Sequence, residues 1–139
     1  MTQNVYAMIT TSGHLTFPEV QDTARGDPRQ RLYTLLDTTT IERVALPGTM
    51  ALWVDEEAMI NRKPPNPALT AYLATYGRPV RVIYGNGVLT GQDGTTGLTV
   101  DDGQTLDYHW HLARKQLDDR ADRTRRTTVA LATDDLAAL

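Results

Sequence analysis

Along the first two thirds of this chain of 139 residues, apolar positions come in short runs set off by Gly and Pro. That rhythm belongs to hairpins rather than to long helices. Residues 5–10 suit a strand, Ser12-Gly13 breaks it and residues 14–18 resume it, so a first hairpin is expected. Pro18 has no N–H for a ladder, which makes that strand an edge or ends it there. Asp27 followed by Pro28 reads as a helix start, with Leu32, Leu35 and Leu36 at helical spacing behind it. Residues 41–46 and 50–54, around Pro47-Gly48, predict a second hairpin.

The stretch 55–63 is charged, with an apolar centre at Ala58-Met59-Ile60, and Pro64-Pro65-Asn66-Pro67 is stiff and extended. Asn66 is placed to cap a helix that opens on Pro67 and runs through 68–76. Its stripe is Leu69, Tyr72, Leu73 and Tyr76, and Gly77 stops it. Residues 79–84 read as a strand, and Asn86-Gly87 as a turn returning residues 88–90 against it. From Leu98 the pattern forks. Leu106, Trp110, Ala113 and Leu117 recur with helical spacing, whereas Leu106, Tyr108, Trp110 and Leu112 alternate as in a strand. The helix is preferred, because Thr99 and Asp102 form a capping-box pattern and residues 113–122 are strong helix formers. Residues 129–139 read as a short docked helix or a frayed tail.

Strands and helices are mixed and hairpins dominate. The expected fold is α+β, with a mainly antiparallel sheet built from hairpins and packed by two or three helices. One domain is expected over residues 1–122, with 123–139 as the tail or docked helix.

Charge and composition narrow the chemistry. The net charge is −3, which argues against a protein coated with cations for nucleic acid or anionic membrane. The sum conceals an asymmetry: residues 113–126 carry +3 and the rest of the chain −6. There is no cysteine, so disulfides, thiolate catalysis and Cys-held metals are excluded. The single serine, Ser12, lies in no nucleophile-elbow pattern. No apolar run reaches the length of a membrane span and the N-terminus has no signal-peptide pattern, so a soluble cytoplasmic protein is expected, with no membrane partner. The 12 Arg against 2 Lys and 21 Thr against one Ser have no folding reason and fit the mutational bias of a GC-rich genome.

Residues Ile41-Glu42-Arg43-Val44, Leu46-Pro47-Gly48, Leu52-Trp53-Val54-Asp55-Glu56-Glu57 and Pro64-Pro65-Asn66-Pro67-Ala68 resemble an uncharacterised small-domain family of bacteriophages, plasmids and integrative elements. Residues 80–83 and 88–91 extend the likeness, which covers roughly 4–99. The chain departs at Ala58, where the family pattern has Gly, so the turn geometry is expected to differ there if that Gly supplies a positive φ. The resemblance implies a mobile-element accessory protein and no particular chemistry.

Three constellations remain. Asp55-Glu56-Glu57 is the densest carboxylate group, beside Trp53. It reads as a solvated strand end with Asp55 capping the next short helix, or else as a divalent-metal or acid/base site. Asn61-Arg62-Lys63 with Asn66 forms a stiff polar loop suited to recognition, or a plain helix start. Arg114, Lys115, Arg120, Arg123, Arg125 and Arg126, interleaved with acidic residues, read as a solvated helix with pairs such as Asp119–Arg123 and Asp122–Arg126, or as a phosphate-binding handle. His109 and His111 diverge on a helix and are not expected to share a metal; Trp110 is expected inside and both histidines outside.

The leading expectation is therefore a non-enzymatic accessory protein binding a host or element protein through Trp53, Asp55, Glu56, Asn61, Arg62, Lys63 and Asn66. A nucleic-acid binder using the arginine-rich helix and a small metal-dependent enzyme at 55–57 are the alternatives. No cofactor or resident metal is expected, and a homodimer is compatible with the apolar C-terminal segment.

Overall fold

The computed structural model describes residues 3–21, 29–77 and 81–137, giving only the backbone at 3–4, 20–21 and 131–137. The strands are β1 (Gln3–Val5), β2 (Ala7–Ile9), β3 (Leu15–Thr16), β4 (Glu19–Gln21), β5 (Ile41–Ala45), β6 (Met50–Asp55) and β7 (Gly87–Gly91). The helices are α1 (Gln30–Leu36), α2 (Pro67–Ala74) and α3 (Val100–Ala137). One sheet has the order β3-β2-β7-β6-β5 with every neighbouring pair antiparallel, and β1 with β4 forms a separate two-stranded ribbon. The expected α+β fold on an antiparallel sheet is what the chain adopts.

Alternation along β6 sends Met50, Leu52 and Val54 to one face and Ala51 and Trp53 to the other. The first face packs with Ala7, Ile9 and Leu89 against Leu69, Tyr72 and Leu73 of α2 and Leu106 and Ala113 of α3. The second packs with Tyr6 and Val88 against Leu32 and Leu36 of α1. A strand covered on both faces needs no polar side, which explains the uninterrupted apolar run at 50–54. The sheet is thus the middle layer, α1 above it and α2 with α3 below.

Both hairpins expected from the sequence form. Met8 pairs Thr16 and Ile9 pairs Leu15, with Gly13 at φ 85 in the turn, and β3 is an edge as Pro18 required. Strand β5 pairs with β6 from Ala45 opposite Ala51 to Ile41 opposite Asp55. The start of α1 proposed at Asp27 and Pro28 lies outside the described residues. Its end is Asp37, which takes φ 51. Asn66 caps α2 as expected, its Oδ1 accepting the Leu69 N–H at 3.0 Å.

The strand expected at 79–84 does not form: 78–80 lie outside the described residues, and 81–84 join no ladder beyond a single bridge between Pro65 and Tyr84. These residues run beside the prolines at 64 and 65, which cannot donate to a ladder. They are held by two backbone bonds, Asn66 N–H to Ile83 O and Gly85 N–H to Pro64 O, by the Ile83 N–H donating to Thr70 Oγ1, and by the Arg81–Glu42 ion pair. Strand β7 consequently does not fold back on them. It inserts between β2 and β6, so Asn86-Gly87 is not a hairpin turn; the Asn86 Oδ1 accepts the Thr11 N–H instead.

The fork after Leu98 resolves to helix. Thr99 and Asp102 exchange backbone-to-side-chain bonds at 3.0 and 3.1 Å, the reciprocal capping box, and Thr49 Oγ1 donates to the same carboxylate. Leu106 and Ala113 are buried, and Trp110 and Leu117 are half-buried. Residues 123–137 continue α3, so the boundary expected at 122 falls inside a helix.

Candidate functional site

Strand β6 ends at Asp55, and the chain then doubles back through residues 56–62 before Pro64. Asp55 builds this turn. Its Oδ1 accepts the Glu57 N–H at 2.9 Å, the Thr38 hydroxyl at 3.0 Å and the Thr40 hydroxyl at 3.2 Å. Its Oδ2 accepts Asn61 Nδ2 at 3.1 Å and faces Lys63 Nζ at 2.8 Å. Burial alone would raise this carboxyl, but the bonds from Lys63, the Glu57 N–H, Asn61 and Thr38 outweigh it and hold the pKa at about 2. The Lys63 ammonium also donates to Leu36 O at 2.6 Å and Asp37 O at 3.1 Å, the carbonyl end of α1. One ion pair therefore ties the end of β6, the end of α1 and the base of the turn.

The turn itself is closed by Asn61 N–H to Glu57 O, Arg62 N–H to Met59 O and Lys63 N–H to Ala58 O, with Arg62 in the left-handed region at φ 57. Ala58 sits buried beneath it and has no positive φ, so the side chain that departs from the family pattern requires no left-handed backbone at this position. Above this base the tip turns outward: Met59 is 69% exposed and Ile60 77%. On one flank lies a cavity of about 120 Å³ lined by Met59, Val82, Ile83, Tyr84 and Glu56, with Val82 itself exposed. On the other is a polar hollow bounded by Tyr33, Asp37, Thr38, Glu57 and Asn61.

The expected site residues separate into three groups. Glu56, Asn61 and Arg62 are exposed on the turn, as a binding surface requires. Asp55 and Lys63 are its anchor rather than its face. Trp53 and Asn66 offer no surface at all. Trp53 is enclosed on the α1 side of the sheet, its Nε1–H donating to Thr90 Oγ1 at 2.9 Å and its ring packed on Gly94. Asn66 is fully buried and donates from Nδ2 to Ile9 O and Gly85 O at 3.1 and 2.9 Å. Met59, Ile60 and Val82 are exposed apolar residues beside this turn that are not among the expected site residues. The signal for the first two is an apolar pair inside a charged stretch, which on spacing alone reads as the filling of the turn.

On α3, the guanidinium of Arg114 lies over Trp110 at 5.9 Å, while Lys115, Arg120, Arg123, Arg125 and Arg126 are exposed. The expected i,i+4 pairs are replaced by one i,i+3 pair, Asp122 with Arg125 at 2.7 Å. At ~100° per residue, Asp118, Asp119 and Asp122 gather among Arg114, Lys115, Arg125 and Arg126, while over residues 114–126 Arg120 and Arg123 fall on the side without a carboxylate. His109 is not left at the surface as expected. It stacks on Tyr76 at 3.9 Å, and Nδ1 lies 2.9 Å from Thr75 Oγ1; His111 is exposed. Among the described residues no three His, Asp or Glu side chains are grouped to hold a metal, and Asp55 does not converge with Glu56 and Glu57.

A family model described as a domain of unknown function (DUF3846) matches residues 7–111, more than half of the chain. No curated protein and no solved structure matches. Among the described residues no helix is long and apolar enough to cross a membrane.

Proposed function

We propose, from the premise that the chain belongs to the DUF3846 family, that it is an accessory protein of phages and other mobile elements that acts by binding a host or element protein rather than by catalysis. The mobile-element setting comes from the resemblance at 41–68. The mode of action is supported by one observation above all: two large apolar side chains, Met59 and Ile60, stand exposed on a turn whose base is fixed by the buried Asp55 and its half-buried partner Lys63. Apolar side chains held out on a rigid base lose little entropy on docking. A few such anchors carry most of the energy of an interface. Around them Glu56, Asn61 and Arg62 supply a polar rim.

A photo-crosslinking residue at position 60 of the full chain, expressed in its bacterial host, tests this. The expected result is one dominant adduct, at least about tenfold reduced by Met59→Asp. Equal adduct formation with Met59→Asp, or with the crosslinker moved to the exposed position 104, would overturn the reading.

A further inference from the structure

Helix α3 outruns the domain it packs on. Residues 118–130 are all exposed, and the helix continues to Ala137. The 20 residues 118–137 extend about 30 Å. The stretch 118–128 holds only Asp, Arg, Thr and Ala and is exposed throughout, and such a helix is marginal in water, so its occurrence calls for a partner.

Its exposed charges indicate which. Arg120, Arg123 and Arg126 follow at i, i+3 and i+6, neighbours along the helix surface, and none has an ion pair among the described residues; Arg125 is taken by Asp122. The complement lies on the same chain. Asp37, Glu56 and Glu57 are exposed beside the turn after β6, without a side-chain hydrogen bond or ion pair among the described residues, whereas Asp55 is neutralised by Lys63. The asymmetry is global as well: +3 over residues 113–126 against −6 over the remainder. The body that carries −6 repels a polyanion but attracts another copy's helix.

We propose that the projecting half of α3 docks on a second copy of this chain, Arg120, Arg123 and Arg126 of each copy meeting Asp37, Glu56 and Glu57 of the other. The exchange is reciprocal, so two contacts close a two-fold dimer and no open filament results. This goes beyond the reading above and does not depend on it: it uses the carboxylates beside the turn, not the apolar tip, and shares with that reading only Glu56 of the polar rim.

The test is the mass of the full chain by light scattering, at about 0.05 M and about 0.5 M salt. A dimer at low salt that becomes a monomer at high salt is expected. Arg120→Glu/Arg123→Glu/Arg126→Glu and Asp37→Lys/Glu56→Lys/Glu57→Lys should each be monomeric at low salt with unchanged circular dichroism. Their equimolar mixture should recover a dimer, because both contacts in it pair opposite charges. A monomeric wild type at low salt, a dimer indifferent to salt and to both variants, or a mixture that stays monomeric would each overturn the proposal. Salt-sensitive binding of duplex DNA by the wild type, lost in the arginine variant while the protein stays monomeric, would overturn it in favour of nucleic acid.

Discussion

The Lys63 ammonium lies 2.8 Å from Asp55 Oδ2 and, with the same three protons, reaches Leu36 O and Asp37 O at the end of α1. Removing it strands a buried carboxylate and two carbonyls at once. Lys63→Met, which keeps the aliphatic stem, should therefore destabilise the fold by about 3 kcal/mol, read by chemical denaturation. Asp55→Ala should cost a similar amount. The double variant should cost much less than the sum, because each single change already breaks the shared contact. Additive losses would show that the two side chains act separately.

The same carboxylate sets an acid limit. Its folded pKa of about 2 lies below the ordinary Asp value near 3.9, so the unfolded chain binds the proton more readily. The stabilisation is complete above about pH 4 and is lost as pH falls from there through 2. It amounts to roughly 2 kcal/mol. Titrating stability from pH 6 to pH 2 in wild type and Asp55→Asn isolates this part, which should vanish from the variant.

Asn66 is a second internal tie, and its role separates its two ends. The carbonyl caps α2 through the Leu69 N–H, while the amide N–H groups hold Ile9 O and Gly85 O. Asn66→Ala should lose about 3 kcal/mol, since it leaves three buried backbone groups without a partner. Asn66→Asp keeps the acceptor for the cap but turns a carboxylate oxygen onto two carbonyls. It should be no more stable than Asn66→Ala at neutral pH in thermal melts. A stable Asn66→Asp would mean that the cap alone matters.

The turn sets tip against base. Ala58 is buried and Ile60 exposed two residues on. Ala58→Asp should unfold or markedly destabilise the chain, because the charge would be buried beside Gly85 without a partner. Ile60→Asp should leave the stability within about 0.5 kcal/mol of wild type, read by chemical denaturation.

How far the sequence could be read depends on where each signal originates. The two hairpins and the Asn66–Pro67 helix start were legible because local chemistry specifies them: Gly13 in a turn, an Asx cap, a Pro at the first helical position. The strand expected at 79–84 failed for a non-local reason. Arg81 to Tyr84 have strand-forming side chains, but the neighbour that topology gives them is the proline pair at 64–65. The burial of three residues expected at the surface has a cause of the same kind. Trp53, Asp55 and Asn66 are polar or aromatic in a run that looks exposed, yet the sheet is covered on both faces and all three are interior. Whether a carboxylate faces water or a lysine eight residues later is a property of the turn, not of the spacing.

Where α2 meets α3, a histidine makes the packing sensitive to pH in the physiological range. His109 stacks on Tyr76, has Thr75 Oγ1 at Nδ1 and lies edge-on to Tyr72. Burial disfavours its cationic form and lowers its pKa below the ordinary value near 6.5. Since the unfolded chain takes the proton first, the contribution is whole above about pH 6.5. It is lost as pH falls from there through the folded pKa. His109→Phe keeps a ring on Tyr76 but cannot titrate. Melting temperatures from pH 8 to pH 5 should therefore converge between wild type and variant if the variant is the less stable at pH 8, with wild type falling more steeply. Parallel curves would place the proton elsewhere.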